Sequence, residues 1–336
     1  MLQDRIKAFA ELGCQLQTID PQILQEWCWR AKAENNWFTE ENVKSSIEAI
    51  ATWLTVEKLS DWTKNYPLKE KTPRKIGVVM AGNIPLVGFH DMLCVLISGH
   101  ILHAKLSSQD TFLMKHIRQL LVEIDPYYND HFIVADRLNG MDAVIATGSD
   151  NTAKHFNYYF SDIPHIIRSN RSSVAVISGD ETEEELALLG KDILQYFGLG
   201  CRNVSKLFVP AGTSFDKFFR SIEYLKPVID HNKYINNYEY NKSIYLINSV
   251  PHWDNGFMLV TQNDSLVSPI SVLYYEEYTT LPDLDIKLQK HGDKIQVVLS
   301  ANGWYNESEK FGTTQCPSLL DYADGVDTMS FISSIN

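Results

Sequence analysis

The sequence predicts an α/β protein, with strands and helices alternating around a parallel sheet after a helical amino-terminal segment. Two observations carry this. From Lys75 onward, short apolar runs of strand length alternate with longer stretches of helical periodicity, the pattern of βαβ units. Before Lys75, apolar residues recur at helical spacing instead. The length of 336 residues adds that the chain forms about two domains. A chain of that size buries enough surface to fold without disulfides.

The elements follow in order. Thr39 is an expected N-cap with Glu40 and Glu41 in the first turn, and Ile47, Ile50 and Leu54 fall on one stripe of that helix. Tyr66-Pro67 ends the helical segment, because the residue before proline disfavours helical backbone. Lys69 to Lys75 reads as a charged connector. Ile76 to Met80 is a strand, Ala81 to Pro85 a turn, Val87 to Gly99 a buried helix and Ile101 to Leu106 a second strand. Asp110 or a neighbouring serine is expected to cap the helix of Leu113, Ile117, Leu120 and Leu121. Strands are expected at His131–Ala135, Asp142–Ala146, Ser173–Ile177, Lys206–Pro210, Ile244–Ile247, Val272–Tyr275 and Ile295–Ser300. Thr147 to Asp150 turns into a helix ending near Phe160. Further helices cover Glu181–Tyr196 and Ser214–Leu225.

Composition excludes several function classes. The formal charge of −12 opposes a phosphate-tracking nucleic-acid binder. The first ten residues carry Asp4, Arg5 and Lys7 and no apolar core, so they do not read as a signal peptide. The most apolar stretch, Ile76 to Leu106, is interrupted by Asn83, Pro85, His90, Asp91 and His100, so it reads as buried core and no membrane association is expected. The five cysteines are scattered, with no metal-ligand spacing. No metal is expected, and free thiols suit a reducing cytoplasm.

Cys201 follows Gly198 and Gly200, with Arg202 and Lys206 close by. Glycines allow close backbone approach, and cations with backbone N–H groups favour a thiolate nucleophile. The local sequence by itself favours a small core residue beside a turn, because most free cysteines are buried and inert. Gly148-Ser149, between a strand and a helix, could present N–H groups to a pyrophosphate or form an ordinary N-cap. No GxGxxG is present. Asn83, at a strand end, could donate to an oxyanion or simply turn the chain. Lys105 could meet a ribose hydroxyl or end a strand in solvent, and Glu276-Glu277 could face solvent at an edge.

The order of these signals is more specific than any one of them. Asn83-Ile84-Pro85, Lys105-Leu106-Ser107, Thr147-Gly148-Ser149, Gly198-Leu199-Gly200-Cys201 and Glu276-Glu277 together resemble the aldehyde dehydrogenase superfamily. Val79 to Pro85, Arg168 to Ile177, and Phe311 to Met329 with Cys316-Pro317 and Asp321 to Asp327 resemble its LuxC-type acyl-CoA reductases more closely. The likeness runs from about residue 75 to the end.

The resemblance implies an aldehyde dehydrogenase-like fold, with a Rossmann-like cofactor domain and an α/β catalytic domain. Residues 1–74 are then a helical segment and 75–197 the dinucleotide-binding domain. The catalytic domain with the nucleophile covers 198–305, and 306–336 form a carboxyl-terminal segment. Cys201 matches the nucleophile that takes an acyl group as a thioester. Asn83 matches the oxyanion donor, Lys105 the lysine of the adenine-side ribose, and Thr147, Gly148 and Ser149 the pyrophosphate turn. Glu277 matches the glutamate of the nicotinamide ribose. Ser108 stands where the family carries a carboxylate that repels a 2′-phosphate, so NADPH is expected over NADH. The general-base segment of the hydrolytic members reads Ile167-Arg168-Ser169-Asn170, without a carboxylate. That absence suits a reductase that passes its thioester to hydride. Thr279 stands where the family has an aromatic residue.

The implied activity is NADPH-dependent reduction of acyl-CoA, or of a carrier-bound acyl group, to aldehyde. A homodimer and an acyl-protein synthetase partner are expected from the likeness. Arg168, Arg171 and Arg202 read as surface cations, or as contacts to coenzyme A phosphates. Two alternatives stay open: a semialdehyde or acyl-phosphate reductase of the same fold, and a non-catalytic acyl-holding subunit.

Overall fold

The computed structural model describes residues 1–68 and 72–335. The chain forms two compact units, residues 1–170 with 318–336, and residues 171–317.

The first unit opens with α1 (Leu2–Gln17), α2 (Pro21–Glu34), α3 (Glu40–Trp53) and α4 (Val56–Thr63). Thr39 caps α3 as expected, accepting the Asn42 N–H at 3.2 Å. Part of the charged connector, Lys69 to Lys71, lies outside the described residues. The chain then alternates through β1 (Lys75–Val79), α5 (Phe89–Ile97), β2 (Ile101–Lys105), α6 (Thr111–Ile124), α7 (Tyr127–His131) and β3 (Phe132–Val134). It continues through β4 (Ala143–Thr147), α8 (Asp150–Tyr159) and β5 (His165–Arg168). The five strands are parallel, in the order β3-β2-β1-β4-β5.

Side-chain alternation gives the sheet two buried faces. Ile76 and Val78 of β1, with Ala143 and Ile145 of β4, join the large core under α1–α6. Val144 and Ala146 of β4 point the other way, into a smaller core with Leu138, Met141 and Phe160. α5 buries every residue but His90, so its surface is mostly apolar, with Asp91 buried among the apolar side chains. α1–α4 share that large core with the sheet, so the helical segment is part of this unit and not a separate domain.

The second unit contains β6 (Ser172–Val176), α9 (Glu183–Leu194), β7 (Val204–Pro210), α10 (Asp216–Ile222), α11 (Asn232–Ile247), β8 (Trp253–Asp254) and β9 (Leu259–Gln262). β10 (Val272–Tyr278), α12 (Leu281–Gln289), β11 (Ile295–Ser300) and β12 (Glu309–Lys310) follow. The strand order is β12-β11-β6-β7-β10-β9-β8, parallel except for β8 on β9. α13 (Thr328–Ser334) returns to the first unit and packs on α5.

Three expectations differ from this architecture. The units divide at 170/171 rather than at 197/198, because β6 pairs with β7 and β11. The carboxyl-terminal segment divides at 317/318, so its two parts belong to different units. Ile244–Ile247 is the last turn of α11 and not a strand. Tyr234, Tyr238 and Asn241 form the buried stripe of that helix, whereas Leu246 and Ile247 remain exposed. Among the described residues, no helix is long and apolar enough to cross a membrane.

Candidate active site

In the first unit the sequence-selected residues gather at the carboxyl edge of the sheet. Val79 lies beside Lys105 on one side and Ala146 on the other, in parallel register. β1 and β4 flank the point where the strand order reverses, which is where open parallel sheets bind ligands. Asn83 follows β1, Ser108 follows β2, and Thr147-Gly148-Ser149 leads from β4 into α8. Ser149 caps α8, accepting the Thr152 N–H at 3.3 Å. Lys105 and Ser108 are exposed, and Asn83 is half-buried. Beside this edge lies an open cleft of about 360 Å³, lined by Lys105, Arg137, Leu138, Phe156, Tyr158 and Tyr159 among others. It offers aromatic and aliphatic walls with two cations at the rim, a setting for a flat base and an anionic sugar phosphate.

The Asn83 loop is fixed from distant parts of the chain. Buried Asn35, from the end of α2, donates through Nδ2 to the Gly82 carbonyl at 3.2 Å. Asp110 accepts the Leu86 N–H at 2.7 Å. Leu86 has a φ of 57°, a left-handed backbone that this bond helps to hold. A side chain at Gly82 would run into Ser107, which explains the glycine. Asp110 therefore does something other than the expected capping. Its side chain makes no cap bond to α6, and the free N–H groups of Thr111 and Phe112 go to Glu34 at 2.9 and 2.8 Å. Burial pushes the Asp110 carboxyl well above the usual range, and the Leu86 bond opposes this only in part. Its second oxygen has no hydrogen-bond partner.

Arg168 ends β5, opposite Thr147. It is neither a surface cation nor open to an external phosphate. It is 4% exposed, pairs with Asp91 of α5 at 2.6 Å and donates to the Thr328 hydroxyl at 2.8 Å. Burial works against its charge, but Asp91 more than compensates and its pKa ends above the ordinary value. The end of β5 thus carries a buried ion pair.

In the second unit, Cys201 sits on a tight turn between α9 and β7. The Asn203 N–H donates to the Gly200 carbonyl at 3.1 Å, closing the turn around Cys201 and Arg202. Cys201 is partly exposed, and its carbonyl accepts the Ser173 hydroxyl at 3.3 Å. Just upstream, Tyr196, Phe197 and Gly198 are all left-handed, with φ of 52°, 58° and 75°. The two aromatic residues make this costly, at about 1–2 kcal/mol each. Both are buried, and Phe197 packs on His231 at 4.4 Å, so packing holds the turn.

The cationic surroundings expected for Cys201 are taken up elsewhere. Arg202 faces Glu309 at 3.5 Å. Lys206 is fully buried and bonds to Glu276 at 2.7 Å and to the Asp264 carbonyl at 3.0 Å. Arg171 reaches the Ile295 carbonyl at 3.5 Å.

Glu277 is not brought to Cys201. It lies at the carboxyl end of β10, opposite Val209, and accepts the Gly212 N–H at 3.0 Å. Cys201 precedes the amino end of β7, and the strand between them spans about 20 Å at roughly 3.3 Å per residue. A nicotinamide reacting at Cys201 would not have its ribose at Glu277. The sequence pairing failed because Glu276-Glu277 is the end of a long strand, not the turn that precedes one.

Several residues of this arrangement escape a sequence reading. Asn203 ends the Gly200 turn, and an asparagine there was the available signal. Asn35 and Asp91 act across long separations that no local pattern reports, and Arg137 is recognised only by the cleft that it lines.

No family model matches the sequence, and no curated protein matches it either. Solved structures do match in fold. A Mycobacterium tuberculosis aldehyde dehydrogenase complexed with NAD+ aligns with a TM-score of 0.64 at 13% identity, over 89% of this chain and 73% of its own. The P. syringae indole-3-acetaldehyde dehydrogenase AldA, in complex with NAD+ and IAA, aligns at 0.68 and 12%, over 92% and 73%. A putative aldehyde dehydrogenase, PutA from Anabaena variabilis, aligns at 0.62 and 12%, over 99% and 90%. The chain therefore has an aldehyde dehydrogenase-like fold.

Proposed function

We propose that this chain is a nicotinamide-dependent oxidoreductase that reduces an acyl thioester, such as acyl-CoA, to an aldehyde through a covalent Cys201 intermediate. The observation that carries the reading is Cys201 itself, partly exposed on a turn that the Asn203–Gly200 hydrogen bond closes. The segment that would supply the water-activating carboxylate of hydrolytic relatives reads Ile167-Arg168-Ser169-Asn170, and its Arg168 is held in an ion pair with Asp91, which suits a reductase. The fold and the NAD+ complexes of its structural neighbours support the cofactor class.

The cofactor has a fitting location in the first unit. The cleft beside Lys105 suits the adenosine end, and the Gly148-Ser149 turn at the start of α8 suits the pyrophosphate. Arg137 and Lys105 at the rim, with Ser108 in place of an acid, favour a 2′-phosphate and hence NADPH. When bound, the cofactor supplies hydride.

The chain's own residues do the rest. Cys201 Sγ attacks the acyl carbonyl carbon, the carbon–sulfur bond to coenzyme A breaks, and the leaving thiolate takes up a proton. Asn83 keeps the oxyanion-donor role that the sequence resemblance implies. After reduction, Cys201 Sγ leaves the tetrahedral carbon as the oxygen re-forms the aldehyde carbonyl.

The test is NADPH oxidation at 340 nm with acyl-CoAs of graded length, comparing the wild type with Cys201→Ala. Cysteine-dependent oxidation with aldehyde formed supports the reading. Oxidation that survives the substitution, or none with any acyl-CoA, contradicts it.

A further inference from the structure

We propose that Asn203 is the positioning residue of Cys201, setting the reactivity of its thiol by gripping the turn from both ends. The proposal rests on the reading of Cys201 as the nucleophile and extends it to a residue without substrate contact.

The side chain of Asn203 is 2% exposed and uses its full amide. Oδ1 accepts the Gly200 N–H at 2.9 Å, while the Asn203 main-chain N–H donates to the Gly200 carbonyl at 3.1 Å. One residue thus holds both backbone groups of Gly200, and Cys201 is the next residue along. Nδ2 donates to the carbonyls of Asp192, Ile193 and Gln195 at 3.0, 3.3 and 2.8 Å. These lie at the end of α9, where the last carbonyls have no helical partner. The amide therefore ties the Cys201 turn to a rigid helix end across the left-handed Tyr196–Gly198 segment.

The same helix end is anchored on its other side. Asp192 receives the Gly312 N–H at 2.6 Å and the Thr314 hydroxyl at 2.6 Å. The Asn203 amide is held to a fixed frame, and no smaller or charged side chain reproduces its pattern of one acceptor and three donated contacts. A purely structural asparagine would need none of this focus on Gly200. Asn241 provides the contrast: it is 7% exposed and bonds only outward, to the Ile270 carbonyl at 3.0 Å.

The experiment follows alkylation of Cys201 by iodoacetamide across pH, read by peptide mass spectrometry, with exposed Cys316 as the internal standard. Asn203→Ala slows Cys201 at least tenfold at pH 7 and raises its pH midpoint, leaving Cys316 unchanged. Asn241→Ala lowers the melting temperature without changing the Cys201 profile. Should Asn203→Ala lose its fold, Asn203→Asp carries the test, since it keeps the shape and the acceptor for Gly200 while losing the donor. An unchanged Cys201 profile in a folded Asn203 variant overturns the proposal, and so does an equal change in Asn241→Ala. Wild-type Cys201 reacting no faster than Cys316 overturns the nucleophile reading, and this proposal with it.

Discussion

The Asn83 loop of the first unit is held from far away in the sequence, whereas the Cys201 turn of the second is held chiefly by its near neighbours. Asn35 and Asp110 reach the Asn83 loop from another helix and another strand connection. Arg168 and Thr328 then clamp α5, which follows that loop, through Asp91. At Cys201 the grip comes from Asn203 and the end of α9, within a dozen residues. The sheets differ in the same sense. The first presents its candidate residues at the carboxyl ends of strands, and the second carries its cysteine before the amino end of β7. A loop held by distant parts depends on the whole unit being folded, whereas a locally braced turn is set by its own sequence.

The largest expected effect tests the distant grip. Arg168→Ala leaves Asp91 buried without its partner and costs about 3–5 kcal/mol of unfolding free energy, measured by urea titration. A loss below about 1 kcal/mol would mean that the clamp on α5 is not needed.

Next comes the cleft beside the first sheet. Replacing Lys105 and Arg137 together by alanine raises the KM for NADPH about tenfold more than that for NADH, the scale of a lost charge-assisted hydrogen bond. An equal rise for both cofactors would remove the 2′-phosphate from the account.

Asp110 sharpens the comparison through pH. Its folded pKa is raised above the unfolded value by burial, so the folded state binds its proton more tightly. Stability from this group is complete below the unfolded pKa and declines as pH rises toward the folded one. Asp110→Asn, which keeps an acceptor for the Leu86 N–H, raises the melting temperature at pH 7. The gain disappears below about pH 4, near the ordinary carboxyl value. A gain that persists in acid would point to a cause other than titration.

The smallest effect is at Glu277. Because it stands at the far edge of its sheet, Glu277→Gln changes turnover by less than about twofold, within the range of substitutions away from buried features. A large loss would return Glu277 to the site.

Much of the fold was legible because strand and helix periods are local. β1, β2, β4, β7, β10 and β11 coincide with apolar runs, and Thr39 and Ser149 announce the helices that they cap. The units were misdivided because strand pairing is not local: nothing in Ser172–Val176 says that it joins β7 and β11 rather than β5. α11 was misread because its tyrosine stripe carries the burial while the Ile-Tyr-Leu-Ile run at its end, half-buried at Ile244 and Tyr245 and exposed at Leu246 and Ile247, imitates a strand. Cys201 stood out through its glycine neighbours, and Asn83 through a glycine and a proline. Arg168 looked like a surface cation because its partner Asp91 is remote in sequence. Glu277 was placed by order along the chain, and order does not report which end of a strand a residue occupies.

The most direct test of the central claim is mass spectrometry of the chain after incubation with acyl-CoA and no cofactor. One acyl group is expected on the Cys201 peptide, stable in buffer and discharged as aldehyde when NADPH is added. An unmodified Cys201, or an adduct that water removes as fast as NADPH does, would contradict it.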